Sequence, residues 1–251
     1  GSAKNNAYVG GIVGQFYCVG GNIEKCYNAG ACTVTSAQNN AFVGGLVGAS
    51  TDNSSTLTMQ NSYNVGKISN DASSSDSYIG GLIGRAKNSS IKTSYNAGEM
   101  VKKNDNDTIG AIVGSADTNS SVTDCYYWNG CGAQGAGTVK TANDMTEDGT
   151  WATNLSGFST EIWGKAANAP ETTGNLPVLT NNEQKPAPTL TREAKQTQTG
   201  FTITGQLGET LTETQVPFTL TASGGLLNGA VTWSTSDENI ATVDERGTVT
   251  I

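Results

Sequence analysis

The stretch Gly10–Gly14, with the sequence GGIVG, decides the fold, because it returns three more times along the chain. Its counterparts begin at Gly44, Gly80 and Gly110, at intervals of 34, 36 and 30 residues. A repeat of this length is typical of a solenoid, in which each repeat buries its apolar face against the next one. The spacers between the glycine blocks vary in length and are polar, which predicts loops outside a constant core.

A second element follows each glycine block. Its first three copies end in Tyr-Asn-x-Gly and span Ile23–Gly30, Met59–Gly66 and Ile91–Gly98, whereas a fourth copy departs from the pattern after Tyr126. Short Val- and Ile-rich runs bounded by Gly or Asn favour β-strands. The Asn is expected to adopt a left-handed conformation in a turn that follows the Tyr. We therefore predict a parallel β-solenoid in which equivalent residues stack.

These two elements resemble the GLUG repeat, which occurs in large secreted or surface-attached bacterial proteins such as IgA-cleaving metallopeptidases and adhesins. The resemblance covers roughly residues 5–130, in four consecutive copies. It implies a β-helical solenoid on the bacterial surface, with no catalytic residue on the repeats and with any zinc-peptidase motif elsewhere in the chain. The departures, Ala111 and the insertion at Tyr127 and Trp128, fall in the last copy, where a solenoid is expected to cap itself.

The predicted solenoid occupies residues 3–180, and residues 138–179 within it form a C-terminal cap. An uncapped solenoid end is an open sheet edge that invites association. The bulky apolar residues expected to cover that end are Trp151, Leu155, Phe158, Ile162 and Trp163. Residues 181–193 are polar and contain Pro186 and Pro188, which predicts an extended linker.

Residues 194–251 are predicted to form a second module. Val231–Asp244 (VTWSTSDENIATVD) and Gly247–Thr250 resemble the bacterial Ig-like domain of group 2. The resemblance implies a β-sandwich with Trp233 in its core. The range 194–251 has 58 residues, against roughly 80–100 in a complete sandwich, so we expect a partial Ig-like domain and a fragment of a longer protein.

The amino-acid composition restricts the partners and the catalytic mechanisms that are open to the chain. The chain has 14 Lys+Arg and 22 Asp+Glu, a formal charge of −8, which disfavours nucleic acid and anionic membrane as partners. No apolar run is long enough to predict membrane insertion. The chain contains no histidine, which excludes Ser-His-Asp and Cys-His nucleophiles and His-ligated zinc within it.

Carboxylates are the remaining catalytic or metal-binding candidates. They are Asp105, Asp107, Asp117 and Asp124. Paired carboxylates can hydrolyse glycans, and a folded-back turn around Asp105 and Asp107 offers oxygen ligands for Ca²⁺. The favoured interpretation is a solvated turn, since no calcium loop of full length is present.

The cysteines and tyrosines each allow two interpretations. Cys26 and Cys125 align with serines, and Cys32 aligns with Ile68 and Met100, which favours reduced, buried thiols; a Cys125–Cys131 bridge is the alternative. The repeated tyrosines form a predicted ladder that either packs the solenoid wall or stacks sugar rings, with packing favoured: Tyr27, Tyr63, Tyr95 and Tyr126.

The sequence thus predicts an all-β chain: a four-repeat parallel β-solenoid with a C-terminal cap, followed by a partial Ig-like β-sandwich. We expect a non-catalytic structural or adhesion region of a secreted or cell-surface bacterial protein, with no catalytic, cofactor-binding or metal-binding residue. Expected partners are host glycan or surface protein and the flanking domains of a larger chain. The alternative is an accessory region of a secreted hydrolase, either an IgA-type peptidase or a glycan-active β-helix enzyme.

Overall fold

Strands account for almost all of the regular structure in the computed structural model, which describes residues 5–51, 54, 56–72, 76–146, 151–165, 174–186, 188–191, 202–204, 218–223, 233–235 and 240–250. The chain divides into two units, residues 1–193 and 194–251. The predicted all-β fold is confirmed, and the first unit is a β-solenoid of stacked parallel strands.

Four successive coils of the chain build the solenoid. Coil 1 contains β1 (Ala7–Gly10), β2 (Val13–Phe16), β3 (Gly21–Glu24), β4 (Tyr27–Asn28) and β5 (Cys32–Val34). Coil 2 contains β6 (Ala41–Gly44), β7 (Val47–Ser50), β8 (Leu57–Gln60), β9 (Tyr63–Asn64) and β10 (Ile68–Asn70). Coil 3 contains β11 (Ser77–Gly80), β12 (Ile83–Ala86), β13 (Ser89–Lys92), β14 (Tyr95–Asn96) and β15 (Met100–Val101). Coil 4 contains β16 (Thr108–Gly110), β17 (Val113–Ala116), β18 (Ser121–Thr123) and β19 (Tyr126–Trp128), and β20 (Thr138–Lys140) follows it.

Equivalent strands of successive coils pair in parallel and form five sheets. Sheet A is β1-β6-β11-β16, sheet B is β2-β7-β12-β17 and sheet C is β3-β8-β13-β18. Sheet D is β4-β9-β14-β19-β20 and sheet E is β5-β10-β15. In sheet A, Gly10, Gly44, Gly80 and Gly110 occupy one register position, which confirms the predicted stacking of the glycine blocks.

The second glycine of each block permits close approach between coils. A Cβ at Gly81 would overlap the carbonyl oxygen of Ala111 in the next coil and would lie 2.6 Å from the Asn96 Nδ2. Real Cβ atoms do not approach backbone so closely, so glycine is the residue that fits. Ala111 occupies this position in coil 4, where no further coil stacks on it among the described residues and Tyr127 takes the place of the asparagine.

An asparagine ladder runs through the solenoid behind the glycine blocks. The Asn28 Nδ2 donates to the Asn64 Oδ1 at 2.9 Å, and the Asn64 Nδ2 donates to the Asn96 Oδ1 at 2.9 Å. Each Oδ1 also accepts the backbone N–H of the glycine two residues later, at 3.1 to 3.3 Å. Asn64 and Asn96 are fully buried, and these bonds satisfy their polar atoms.

The expectation that these asparagines are left-handed turn residues is wrong, because they lie in β4, β9 and β14. The left-handed position instead precedes each of them by three residues, where sheet C gives way to sheet D. Its φ angles are 52°, 50°, 42° and 48° at Lys25, Asn61, Thr93 and Asp124. The amide side chains of these asparagines point inward and bond along the solenoid axis.

The position of Cys32 agrees with the alignment of the repeats. Cys32 pairs with Ile68, which pairs with Met100, and all three are buried in the core. All five cysteines are free thiols, including Cys125 and Cys131, and Cys18 is exposed. Burial raises the pKa of Cys125 to about 12, so this thiol stays protonated.

The end of coil 4 is covered by the chain that follows it. The β20 strand pairs with β19, the Ala111 N–H donates to the Gln134 carbonyl at 2.9 Å, and the Met100 N–H donates to the Cys131 carbonyl at 2.7 Å. Residues 131–140 therefore cap the stack, whereas the bulky residues of the predicted cap lie elsewhere.

Those bulky residues lie along the side of the solenoid, against sheet D. We call this segment the strap: residues 142–146, 151–165, 174–186 and 188–190. It contains α1 (Ala142–Thr146), α2 (Trp151–Asn154), β21 (Trp163–Gly164), β22 (Gly174–Asn175), β23 (Val178–Leu179) and β24 (Thr189–Leu190). Its apolar residues form one cluster with Tyr63, Tyr95 and Tyr126. The expectation that they cover the solenoid end is corrected accordingly.

The C-terminal unit contains small antiparallel sheets. Their strands are β25 (Thr202–Thr204), β26 (Phe218–Thr219), β27 (Thr221–Ser223), β28 (Thr242–Val243) and β29 (Thr248–Thr250). A turn from Asp244 to Gly247 joins β28 to β29, and the Asp244 carboxylate accepts the N–H groups of Arg246 and Thr248 at 2.9 and 2.8 Å. Trp233 is half-buried beside Gly247 rather than enclosed in a core. Phe201, Val231 and Thr232 lie outside the described residues.

We predict that Gly81→Ala destabilises the solenoid by about 2–3 kcal/mol, because the new methyl group must displace the Ala111 peptide of the next coil. Gly30→Ala is the matched control: a Cβ there meets only the Asn28 Oδ1, at 3.5 Å, and the change should stay within about 0.5 kcal/mol. Urea unfolding of both variants measures the difference. Equal stability of the two variants would contradict the close approach.

Candidate functional surfaces

The predicted tyrosine ladder forms on sheet D. Tyr27 stacks on Tyr63 with ring centroids 5.2 Å apart, and Tyr63 stacks on Tyr95 at 4.9 Å. Tyr126 continues the register in coil 4. The rings of Tyr27, Tyr63 and Tyr95 lie nearly parallel, so Tyr63 uses both of its faces on its neighbours, and Tyr95 is fully buried. Stacking a sugar needs a free aromatic face, which Tyr63 and Tyr95 do not offer.

The strap covers this ladder from outside. The Trp163 ring lies 5.9 Å from Tyr63 and 5.7 Å from Tyr95, and Phe158 lies 5.6 Å from Tyr126. The Tyr95 hydroxyl donates to the Pro177 carbonyl at 2.8 Å, and the Tyr126 hydroxyl donates to the Ser156 carbonyl at 2.8 Å. Burial raises the pKa of Tyr95 well above its ordinary value, so its hydroxyl stays protonated and donates. The ladder is therefore a packing element that anchors the strap.

A second aromatic ladder lies on sheet A, at the residue two positions ahead of each glycine block. Tyr8 stacks on Phe42 at 5.0 Å, and Phe42 stacks on Tyr78 at 5.4 Å. The Arg85 guanidinium lies 5.9 Å from the Phe42 centroid and 5.7 Å from the Tyr78 centroid. The sequence analysis did not assign this ladder, although the aromatic residues recur in register and Arg85 follows a glycine block by one residue.

The carboxylate of Asp107 braces the turn between coils 3 and 4. It accepts hydrogen bonds from the Asn70 Nδ2 at 3.1 Å, the Lys103 N–H at 3.3 Å and the Asn104 N–H at 3.1 Å. Burial by itself raises the pKa of Asp107, but hydrogen bonds from Asn104, Asn70 and Ser77 outweigh it and leave the pKa below its usual value. Asp105, two residues earlier, is exposed. The Asn104 Nδ2 also donates to the Asp107 carboxylate, at 3.3 Å, so Asp107 has four donor groups around it and the two carboxylates differ in environment.

The other two carboxylates lie at different corners. Asp117, between β17 and β18, accepts the Asn88 N–H at 3.2 Å and the Ser120 hydroxyl at 2.7 Å. Asp124 is exposed at the left-handed position of coil 4. Among the described residues, no group of three or more His, Cys, Asp or Glu side chains is placed to hold a metal ion. The helices in this part of the chain are too short or too polar to cross a membrane.

A shallow polar groove of about 450 Å³ lies on the outer side of sheet C. It is lined by Thr56, Leu57, Thr58, Asn88, Ser89, Ser90 and Asn119. Hydroxyl and amide groups predominate, so the groove has hydrogen-bonding capacity but no nucleophile–base pair. Sequence reasoning missed it, because its residues come from three coils and only the register places them together.

Comparison with known proteins finds a similarity of fold. No family model matches the sequence, and no curated protein matches it. The crystal structure of a "putative immunoglobulin A1 protease" from Bacteroides ovatus matches with a TM-score of 0.50 and 18% sequence identity. The match covers 70% of this chain and 54% of that chain, so this chain spans about half the length of the protein it matches.

Removing the hydroxyl group should have opposite effects on stability at the two buried ladder tyrosines, Tyr63 and Tyr95. Tyr95→Phe should lower the free energy of unfolding by about 1–2 kcal/mol, since it leaves the buried Pro177 carbonyl without its donor. Tyr63→Phe should be neutral or stabilising, because the Tyr63 hydroxyl is buried and has no partner among the described residues. Thermal and urea unfolding compare the two. A larger loss in Tyr63→Phe would contradict the position of the strap.

Asp107→Asn should destabilise the chain by about 1–3 kcal/mol at neutral pH, because it replaces a carboxylate that accepts from four donor groups. The folded-state pKa is lowered, so this contribution is present above the unfolded pKa of about 3.9 and is lost as the pH falls through the folded value. Urea unfolding at several pH values should therefore show the gap between wild type and variant closing in acid. Asp105→Asn, at an exposed carboxylate, should show no comparable gap.

Proposed function

We propose that this chain is a non-catalytic structural region of a secreted or cell-surface bacterial protein, which spaces and presents the modules that flank it. The strap carries this proposal. It reaches coil 1 through the Asn182 Nδ2, which donates to the Lys25 carbonyl at 3.2 Å, and it packs on Tyr63, Tyr95 and Tyr126 in the next three coils. A segment anchored in all four coils resists their separation.

The stack itself supports the same role. Backbone ladders join coils 1 to 3 through five sheets and coil 4 to coil 3 through four, and buried amides bond along the same axis in the asparagine ladder. Bending or pulling the solenoid apart would break these bonds together. Such a rod suits a spacer, whereas catalysis needs a cleft with convergent reactive groups.

The two resemblances in the sequence indicate the kind of protein to which this spacer belongs. We propose that the solenoid is a GLUG-type repeat region and that residues 194–251 are a partial group 2 bacterial Ig-like domain. The antiparallel pairing of β26, β28 and β29 supports the second assignment. Both assignments place the chain outside the cell, where adhesion to host glycan or surface protein would be a further role.

The alternative is an accessory region of a secreted hydrolase. The name of the Bacteroides ovatus protein, which shares the fold, favours an IgA-type peptidase over a glycan-active enzyme as the attached activity. In that case the solenoid would position the substrate for a catalytic domain outside residues 1–251.

Force spectroscopy on the whole chain, held at its two ends, tests the spacer role. The strapped solenoid should unfold in one step that releases about 60 nm, because the strap makes the four coils cooperative. Trp163→Ala should lower the unfolding force, whereas the control Thr58→Ala, at an exposed position of sheet C, should leave it unchanged. Separation coil by coil in steps of about 12 nm would contradict the proposal.

Incubation with human IgA1 separates the two candidate functions. A spacer should leave IgA1 intact and show no specific affinity for it. Specific binding without cleavage would favour the accessory role, and cleavage that survives repurification of the chain would contradict the non-catalytic assignment. Immobilised chain and intact-mass analysis of IgA1 provide both readouts.

A further inference from the structure

Coil 1 leaves one end of the solenoid open. Within the described residues, each of the five sheets ends on the strand that coil 1 contributes: β1, β2, β3, β4 and β5. A parallel edge strand presents backbone donors and acceptors that can pair with one more strand. At the other end of the stack, β16, β17 and β18 also end their sheets, but residues 131–140 pair with the edges of sheets D and E, and the core residue Ile112 of coil 4 is fully buried.

Apolar groups are exposed at this open end. Ile12 is 47% exposed, whereas its register partners Leu46, Leu82 and Ile112 are fully buried. Tyr17 and Val19 are 69% and 77% exposed, in a spacer whose counterparts in the later coils carry polar residues. Exposed apolar groups that gather at one end of a stack mark a contact surface.

Both aromatic ladders end in coil 1, where the first ring of each ladder has one face that no other ladder ring covers. Tyr8 and Tyr27 are the first rings of their ladders and are only partly buried, whereas Phe42 and Tyr63 behind them are covered. A further coil with aromatic residues at the same register positions would stack on both rings.

The path of the chain ahead of β1 matches the path between coils. The Asn39 N–H donates to the Asn5 carbonyl at 3.2 Å, and the Asn6 Oδ1 accepts from the Asn40 N–H at 3.3 Å. Asn39 and Asn40 belong to the spacer that leads from coil 1 into coil 2. Asn5 and Asn6 therefore lie where a spacer arriving from one more coil would lie, which continues the established coil–coil interface.

We propose that the open face of coil 1 is a docking surface for one further coil of the same repeat, added in parallel register ahead of Asn5. A second copy fits less well. A copy added head to tail would have to offer its coil 4, where residues 131–140 already occupy the edges of sheets D and E. A copy added head to head would run its strands antiparallel to β1–β5, so its glycine blocks could not continue the parallel register. The inference holds for a spacer and for an accessory region alike.

The test adds a coil to the full chain. A copy of residues 41–76, placed directly ahead of Ala7, keeps the spacing of 36 residues found between Gly44 and Gly80. The added coil should raise the Tm by at least about 5 °C and slow hydrogen exchange across β1 and β2. The extended chain should be a monomer by light scattering.

A matched control shows whether the register matters. The control carries the same copy with its equivalents of Gly44 and Gly45 replaced by valine, whose side chains would overlap the backbone of the next coil. It should show neither the Tm rise nor the slower exchange. The proposal is overturned if the intact copy leaves Tm and exchange unchanged, or if both copies act alike. It is also overturned if the original chain is a stable dimer through coil 1, because a second copy would then be the occupant.

Discussion

The structure depends on close contact between backbones at the glycine blocks. At Gly45 and Gly81 a Cβ would overlap the carbonyl oxygen of the next coil, so successive coils can stack only where a side chain is missing. This contact brings the asparagine amides of neighbouring coils within hydrogen-bonding distance of each other. Ala111 marks the limit of the constraint, since it stands in the last coil, where the asparagine ladder has ended.

Because the coils stack in register, some surfaces of the solenoid are covered by its own side chains and others stay exposed. Identical residues fall above one another, so aromatic rings form ladders whose inner faces are used internally and are not open to ligands. One ladder anchors the strap on sheet D, and the other holds Arg85 on sheet A. The strap covers one side of the solenoid, and the segment after coil 4 pairs with sheets D and E at one end, whereas coil 1 leaves an edge strand of all five sheets unpaired among the described residues.

The sequence predicted the features that repeat. The glycine blocks, the tyrosine stacking and the match of Cys32 with Ile68 and Met100 follow from register and are present in the structure. It did not predict where the strap lies, because Trp163 and Phe158 occur once each and carry no periodic signal. The asparagines were assigned to turns on propensity, whereas a ladder of buried amides satisfies them within strands. The groove on sheet C could not be predicted from the sequence, because its residues come together only when the coils stack.

Spin labels at Asn22→Cys and Ser121→Cys, in a chain that also carries Cys18→Ser, test the stacking most directly. Asn22, Thr58, Ser90 and Ser121 share one register position of sheet C, so the labelled backbones should lie three strand spacings apart, about 14 Å. The account predicts strong dipolar broadening of the paramagnetic resonance spectrum. A separation beyond about 25 Å, or broadening that Gly81→Val leaves unchanged, would contradict in-register stacking through the glycine blocks.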